Sequence, residues 1–133
     1  MMITKGIQDD ILMLGKNGCA FLSACRAFNL ELNDIPKFIV ECQNNKSIDN
    51  EYWINSWKGL LETIDPKKRK WSVKKQAEYE PCDILIAMFE KGKNTHFVLL
   101  NAETKAIIFD SLYNSQTVKY GVLKDYRICK FMR

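Results

Sequence analysis

Apolar residues along the chain recur first at helical spacing and then in short strand-like runs. From Gly18 onward, Phe21, Cys25 and Phe28 fall on one helical face with Leu22 and Ala24 beside them. This predicts a helix capped by Asn17 or Gly18 and ending near Asn29, after a turn over 15–18 (GKNG). A second helix is expected from about 34 to 43, with Asn33 or Asp34 as cap, Pro36 in the first turn, and Ile35, Phe38, Ile39 and Cys42 as its apolar stripe. A third is expected from about 50 to 63, capped by Asp49 and closed by Pro66, with Tyr52 or Trp53, Trp57, Leu60 and Leu61 buried. The basic stretch Lys67-Lys68-Arg69-Lys70, with Lys74 and Lys75, has no clear period and reads as an exposed loop or short helix.

The second half reads as β. Residues 83–89 form a nearly continuous apolar run, suited to a strand covered on both faces. Lys91-Gly92-Lys93-Asn94 is a hairpin turn leading into a strand over 95–100. A second turn over 101–105 leads to a third strand over 106–110 (AIIFD). A short strand near 117–120 and a last one over 126–131 complete the pattern. Helices followed by an antiparallel meander predict an α+β fold, N-terminal helices packed on a C-terminal sheet.

Length and composition narrow the class. At 133 residues the chain is one domain's worth, 1–133, and long enough for a core without staples. Its hydrophobic and charged fractions, 47% and 27%, are ordinary for a globular protein, and a net charge of +4 does not by itself imply nucleic acid. The first ten residues (MMITKGIQDD) lack an apolar signal segment, and the run over 84–89 is too short to span a bilayer. The cysteines number five, are scattered and form no C-x-x-C pair, so neither a disulfide framework nor a zinc ribbon is expected. With no signal segment visible, a cytoplasmic, reducing compartment is expected, where the thiols stay free. A single histidine among dispersed cysteines lacks the paired spacing of a zinc site, and no cofactor is implied.

Three residues stand out chemically. Cys19 falls at a helix start, where the macrodipole and unpaired N–H groups favour thiolate and can hold an oxyanion. His96 is the one histidine, so any imidazole partner of a cysteine nucleophile must be this residue. Asp110 ends the strand after that of His96, within reach across an antiparallel hairpin, where it can fix the ring's tautomer. Taken singly, each has a plainer role: a small core thiol, a strand histidine, a turn cap. Cys25, Cys42, Cys82 and Cys129 read as packing, as do Trp53 and Trp57 at helical spacing, although Trp53, Trp57 and Trp71 together could line a groove.

In that order a helix-start Cys, a strand-start His and an adjacent strand-end Asp form the papain-type arrangement, and the surrounding residues resemble it too. Asn17-Gly18-Cys19-Ala20-Phe21-Leu22-Ser23 resembles the nucleophile segment of papain-like cysteine peptidases, especially the small domains that remove double-glycine leaders from bacteriocins. Pro81-Cys82-Asp83-Ile84-Leu85 resembles the entry to the first core strand of related cell-wall peptidases. His96-Phe97-Val98-Leu99 and Ile108-Phe109-Asp110-Ser111 are similar to their histidine and acidic strands. The segment over 110–121, with Arg127 beyond, resembles uncharacterised phage and prophage proteins of this superfamily. The likeness covers about 18–26 and 81–127, leaving 29–80 unmatched. Two positions depart from the pattern: Ala20 where the family carries Gly, and Met13 where it carries the oxyanion glutamine. Gln8 and Asn17 are the candidate replacements.

The resemblance implies a thiol hydrolase or acyltransferase acting on a peptide or amide bond, with Cys19 as nucleophile, His96 as proton carrier and Asp110 orienting it. Its partner would be a peptide or protein substrate, in the cytoplasm of a bacterium or of its phage-infected host, with no membrane partner. The alternative is a catalytically inactive papain-like binding module, such as a phage protein engaging a host factor. The basic cluster reads as a solvated linker rather than a nucleic-acid surface, because no aromatic platform accompanies it.

Overall fold

The structure, a computed structural model, describes residues 17–112 and 115–133. Gly18 caps helix α1 (Cys19–Ala27), its carbonyl accepting the Leu22 N–H at 2.8 Å. Beyond the helix end Asn29 takes the left-handed conformation, φ 53°, which Asn tolerates better than most residues. Helix α2 (Ile35–Asn44) follows, with Asp34 as N-cap and Pro36 in its first turn. Both agree with the periodicity. Residues 15 and 16 of the expected turn lie outside the described residues.

Helix α3 (Trp57–Ile64) is shorter than expected. Asp49 does not cap a helix. Its carboxylate accepts the N–H of Glu51 at 2.8 Å and of Trp53 at 3.1 Å, which closes a local turn instead. Tyr52 sits at φ 70°, a conformation no helix contains, and Ile48 bridges Ile54 in antiparallel fashion. The helix starts where Ser56 Oγ accepts Gly59 N–H at 3.0 Å. As a result Tyr52 is buried while Trp53 is 47% exposed.

The strands are β1 (Trp71–Gln76), β2 (Ile84–Lys91), β3 (Asn94–Leu100), β4 (Ile107–Phe109) and β5 (Val122–Phe131), with helix α4 (Gln116–Tyr120) before the last. They form one five-stranded sheet in the order β1-β5-β2-β3-β4, every neighbouring pair antiparallel. The fold is α+β, N-terminal helices packed on that sheet. β2, β3 and β4 run as the expected meander, through Gly92 at φ 60° and a turn in which Asn101 Oδ1 accepts the N–H of Glu103 and Thr104.

Three expectations need correction. The basic segment is neither loop nor helix from Trp71 onward: β1 pairs along its length with β5, from Trp71↔Phe131 to Gln76↔Tyr126. Lysines disguise it because it is an edge strand with one face to water. Residues 116–120 form α4, not a strand, and its Val118 packs against the core that includes Leu85, Val98 and Tyr126. Gly121 ends α4: a Cβ there would stand 2.2 Å from the Thr117 carbonyl oxygen and 2.6 Å from that of Glu90, so only glycine fits. Finally, the last strand begins at Val122 and lies in the middle of the sheet, between β1 and β2.

Both faces of the sheet are covered. Ile84 and Ile86 of β2 join Phe21, Leu60, Leu61 and Trp71 on the side of α1, α2 and α3, whereas Leu85 and Ala87 join Val98, Tyr126 and Ile128 on the side of α4. This alternation between two cores explains why β2 reads as an unbroken apolar run. No helix among the described residues is long and apolar enough to cross a membrane.

Candidate functional site

The three singled-out residues meet where the start of α1 touches the start of β3. Cys19 is the first residue of α1, and its Sγ accepts the backbone N–H of Phe97 at 3.5 Å. Phe97 follows His96 in β3, so the same contact that seats the helix on the strand brings thiol and imidazole together. His96 is 2% exposed, and its Nε2 lies 2.6 Å from Asp110 Oδ1. Asp110 comes directly after β4, which pairs with β3 through Leu99↔Phe109.

The Asp110 carboxylate is itself held. Oδ1 accepts the Leu112 N–H at 3.0 Å and Oδ2 the Ser115 N–H at 3.2 Å. Burial pushes this carboxyl up, but the hydrogen bonds from His96 and the two backbone amides outweigh it and hold Asp110 below its ordinary pKa. Burial pulls His96 down, yet hydrogen bonding to Cys19 and to Asp110 holds it above its ordinary value. An ionised carboxylate only accepts, so Nε2 carries the proton facing Asp110 and Nδ1 is left for the thiol. That tautomer can take a proton from sulfur and keep it as imidazolium.

The other cysteines are built differently. Burial pushes the Cys25 and Cys129 thiols up to about 12, and it also raises Cys42 and Cys82. These four are packing, and all five cysteines are free thiols.

Of the oxyanion candidates, Asn17 is 9% exposed and stands just before the helix cap. Gln8 lies outside the described residues. Near the start of α1, a cavity of about 140 Å³ is lined by Asn17, Ala20, Trp53, Trp57, Phe97 and Arg127, among others. Of the three tryptophans, Trp53 and Trp57 therefore line a groove and Trp71 is core. The amides of Leu112 and Ser115 escaped the sequence reading because backbone donors leave no residue-type signal. The cavity escaped it because its walls come from segments far apart in the chain.

No protein-family model matches the chain, and no curated protein or solved structure matches it.

Proposed function

We propose that this protein is a papain-like thiol hydrolase or acyltransferase that acts on a peptide or amide bond. The observation that carries the reading is the line Cys19, His96, Asp110: a thiol at a helix start on one side of a buried imidazole, and a carboxylate 2.6 Å from its other side. In this mechanism His96 takes the Cys19 proton and the thiolate attacks the carbonyl carbon. The resulting oxyanion is held by the Cys19 backbone N–H at the positive end of α1 and by the Asn17 side-chain amide. The imidazolium then protonates the departing amine as the C–N bond breaks. Water, deprotonated by the same ring, or a second amine, releases the acyl group from sulfur. Asp110 keeps the ring in the tautomer that permits both transfers.

The test is thiol labelling against pH, with Cys19→Ser to assign the signal. Cys19 is expected to react with iodoacetamide well below pH 8, and His96→Ala to remove that advantage, a loss on the order of 10²-fold or more. A Cys19 that reacts no faster than free cysteine refutes the hydrolase and leaves an inert binding domain in its place.

A further inference from the structure

The cavity near the start of α1 carries information about what would be bound there. Asn17 and Ala20 flank Cys19 along the chain and Phe97 follows His96, so the cavity lies by the start of α1 and the start of β3, and Cys19 and His96 are not themselves part of its wall. The rings of Trp57 and Phe97 adjoin at 5.6 Å between centroids. The Arg127 guanidinium lies against both, its Cζ 5.8 Å from the Trp57 ring and 5.3 Å from the Phe97 ring. Arg127 belongs to β5, in the middle of the sheet, and its side chain is 11% exposed. It therefore forms a buried cationic part of the cavity wall, while Trp53 stands at the exposed rim.

Size and charge select the occupant. A volume of about 140 Å³ matches the apolar cavities of ~150 Å³ that accept a single benzene ring. Aromatic walls favour a planar ring stacked on or edged against them. Arg127 donates to the Asp125 carboxylate, and a guanidinium has five N–H donors, more than that one carboxylate engages. A cationic side chain would meet Arg127 directly. An acidic one would add a second negative charge near Asp125. A phenol oxygen accepts from the guanidinium without changing the charge balance.

Resting on the hydrolase reading above, we infer that this cavity binds the side chain of a substrate residue next to the scissile bond, and that it selects an aromatic residue, tyrosine ahead of phenylalanine. Such a pocket does not suit a cleavage site flanked by glycines, because glycine leaves it empty.

The experiment separates the pocket from the thiol chemistry by using Cys19→Ala protein. Capped dipeptide amides, acetyl-Xaa-Gly-amide with Xaa as Tyr, Phe, Glu, Lys or Gly, are titrated and followed by amide chemical shifts. The Tyr peptide is expected to bind tightest. Phe should be about fivefold weaker, the loss of one net hydrogen bond, and Glu, Lys and Gly roughly tenfold weaker or more. Arg127→Leu should erase the preference for Tyr over Phe. Trp53→Ala, at the exposed rim and tolerable to the fold, should weaken both aromatic peptides about threefold or more. Equal binding of the Gly or Lys peptide, equal binding of Tyr and Phe, or no effect of Trp53→Ala overturns the inference. Selective binding with an unreactive Cys19 would remove the hydrolase alone. A reactive Cys19 without selectivity would remove the pocket alone.

Discussion

Asp65 and Asp110 each stand one residue beyond a regular element, α3 and β4, and each gathers two backbone N–H groups and one ring nitrogen. Around Asp65 the ring is the Trp71 indole, donating at 2.9 Å, and the Arg69 guanidinium adds a bond at 2.8 Å. Around Asp110 the ring is the His96 imidazole. An indole N–H and a guanidinium only donate, so the Asp65 cradle is a fixed anchor. It ties the end of α3 to the start of β1. Around Asp110 a similar cradle holds a ring that titrates, and the assembly can move a proton. Whether such a carboxylate is a clamp or part of a reactive site thus depends on the ring it faces.

Replacing Asp65 should have the largest effect on stability. Asp65 is fully buried, and although burial raises its pKa, Arg69, Trp71 and the backbone donors bring it down to about 2. Asp65→Asn removes the partner of Arg69 and is expected to destabilise the fold by about 3 kcal/mol in urea unfolding. The depressed pKa also fixes a sign. The contribution, about 2 kcal/mol, is present above the ordinary carboxylate pKa of 3.8 and is lost as pH falls through about 2. An Asp65→Asn protein with unchanged stability would show that the clamp is redundant.

Asp110→Asn should cost less stability, about 1–2 kcal/mol, but it should lower the labelling advantage of Cys19 by roughly tenfold or more, which Asp65→Asn leaves alone. The pH dependence distinguishes the cradles further. Asp110 is lowered, so its contribution is present above 3.8 and fades as pH drops below that. His96 is raised, so its contribution is complete below 6.5 and fades as pH climbs through its folded value. The stability gap between the native protein and Asp110→Asn is therefore expected to be widest between about pH 4 and 6.5. Thermal melts at pH 5 and pH 9 check this, and a gap that widens at pH 9 would contradict it.

The same contrast explains what the residues alone could tell. Cys19, His96 and Asp110 were legible because each sits at the edge of an element set by local signals: a glycine before a helical stripe, a Gly-containing hairpin turn, a short apolar run. α1, α2 and the meander from β2 to β4 were legible for the same reason. The start of α3 was not, because Asp49 and Ser56 are both good caps and only tertiary packing of Tyr52 decides between them. β1 was hidden by its lysines, and α4 by β-branched residues that suit a strand. The position of β5 depends on pairings between segments distant in sequence, which periodicity does not encode.

That central position of β5 has a consequence for the order of assembly. β2, β3 and β4 pair with immediate chain neighbours, so the strands carrying His96 and Asp110 can associate early. β1 has no partner except β5, so it must wait for a segment made some fifty residues later, beginning at Val122. The half-sheet that holds the imidazole and carboxylate is then expected to exist before Arg127 comes into place. In a pulse-labelled refolding experiment β3 amides should gain protection ahead of those of β1. On the ribosome, His96 and Asp110 could meet before the cavity near α1 gains Arg127, and the selectivity proposed for that cavity would arise only once β5 has threaded into the centre.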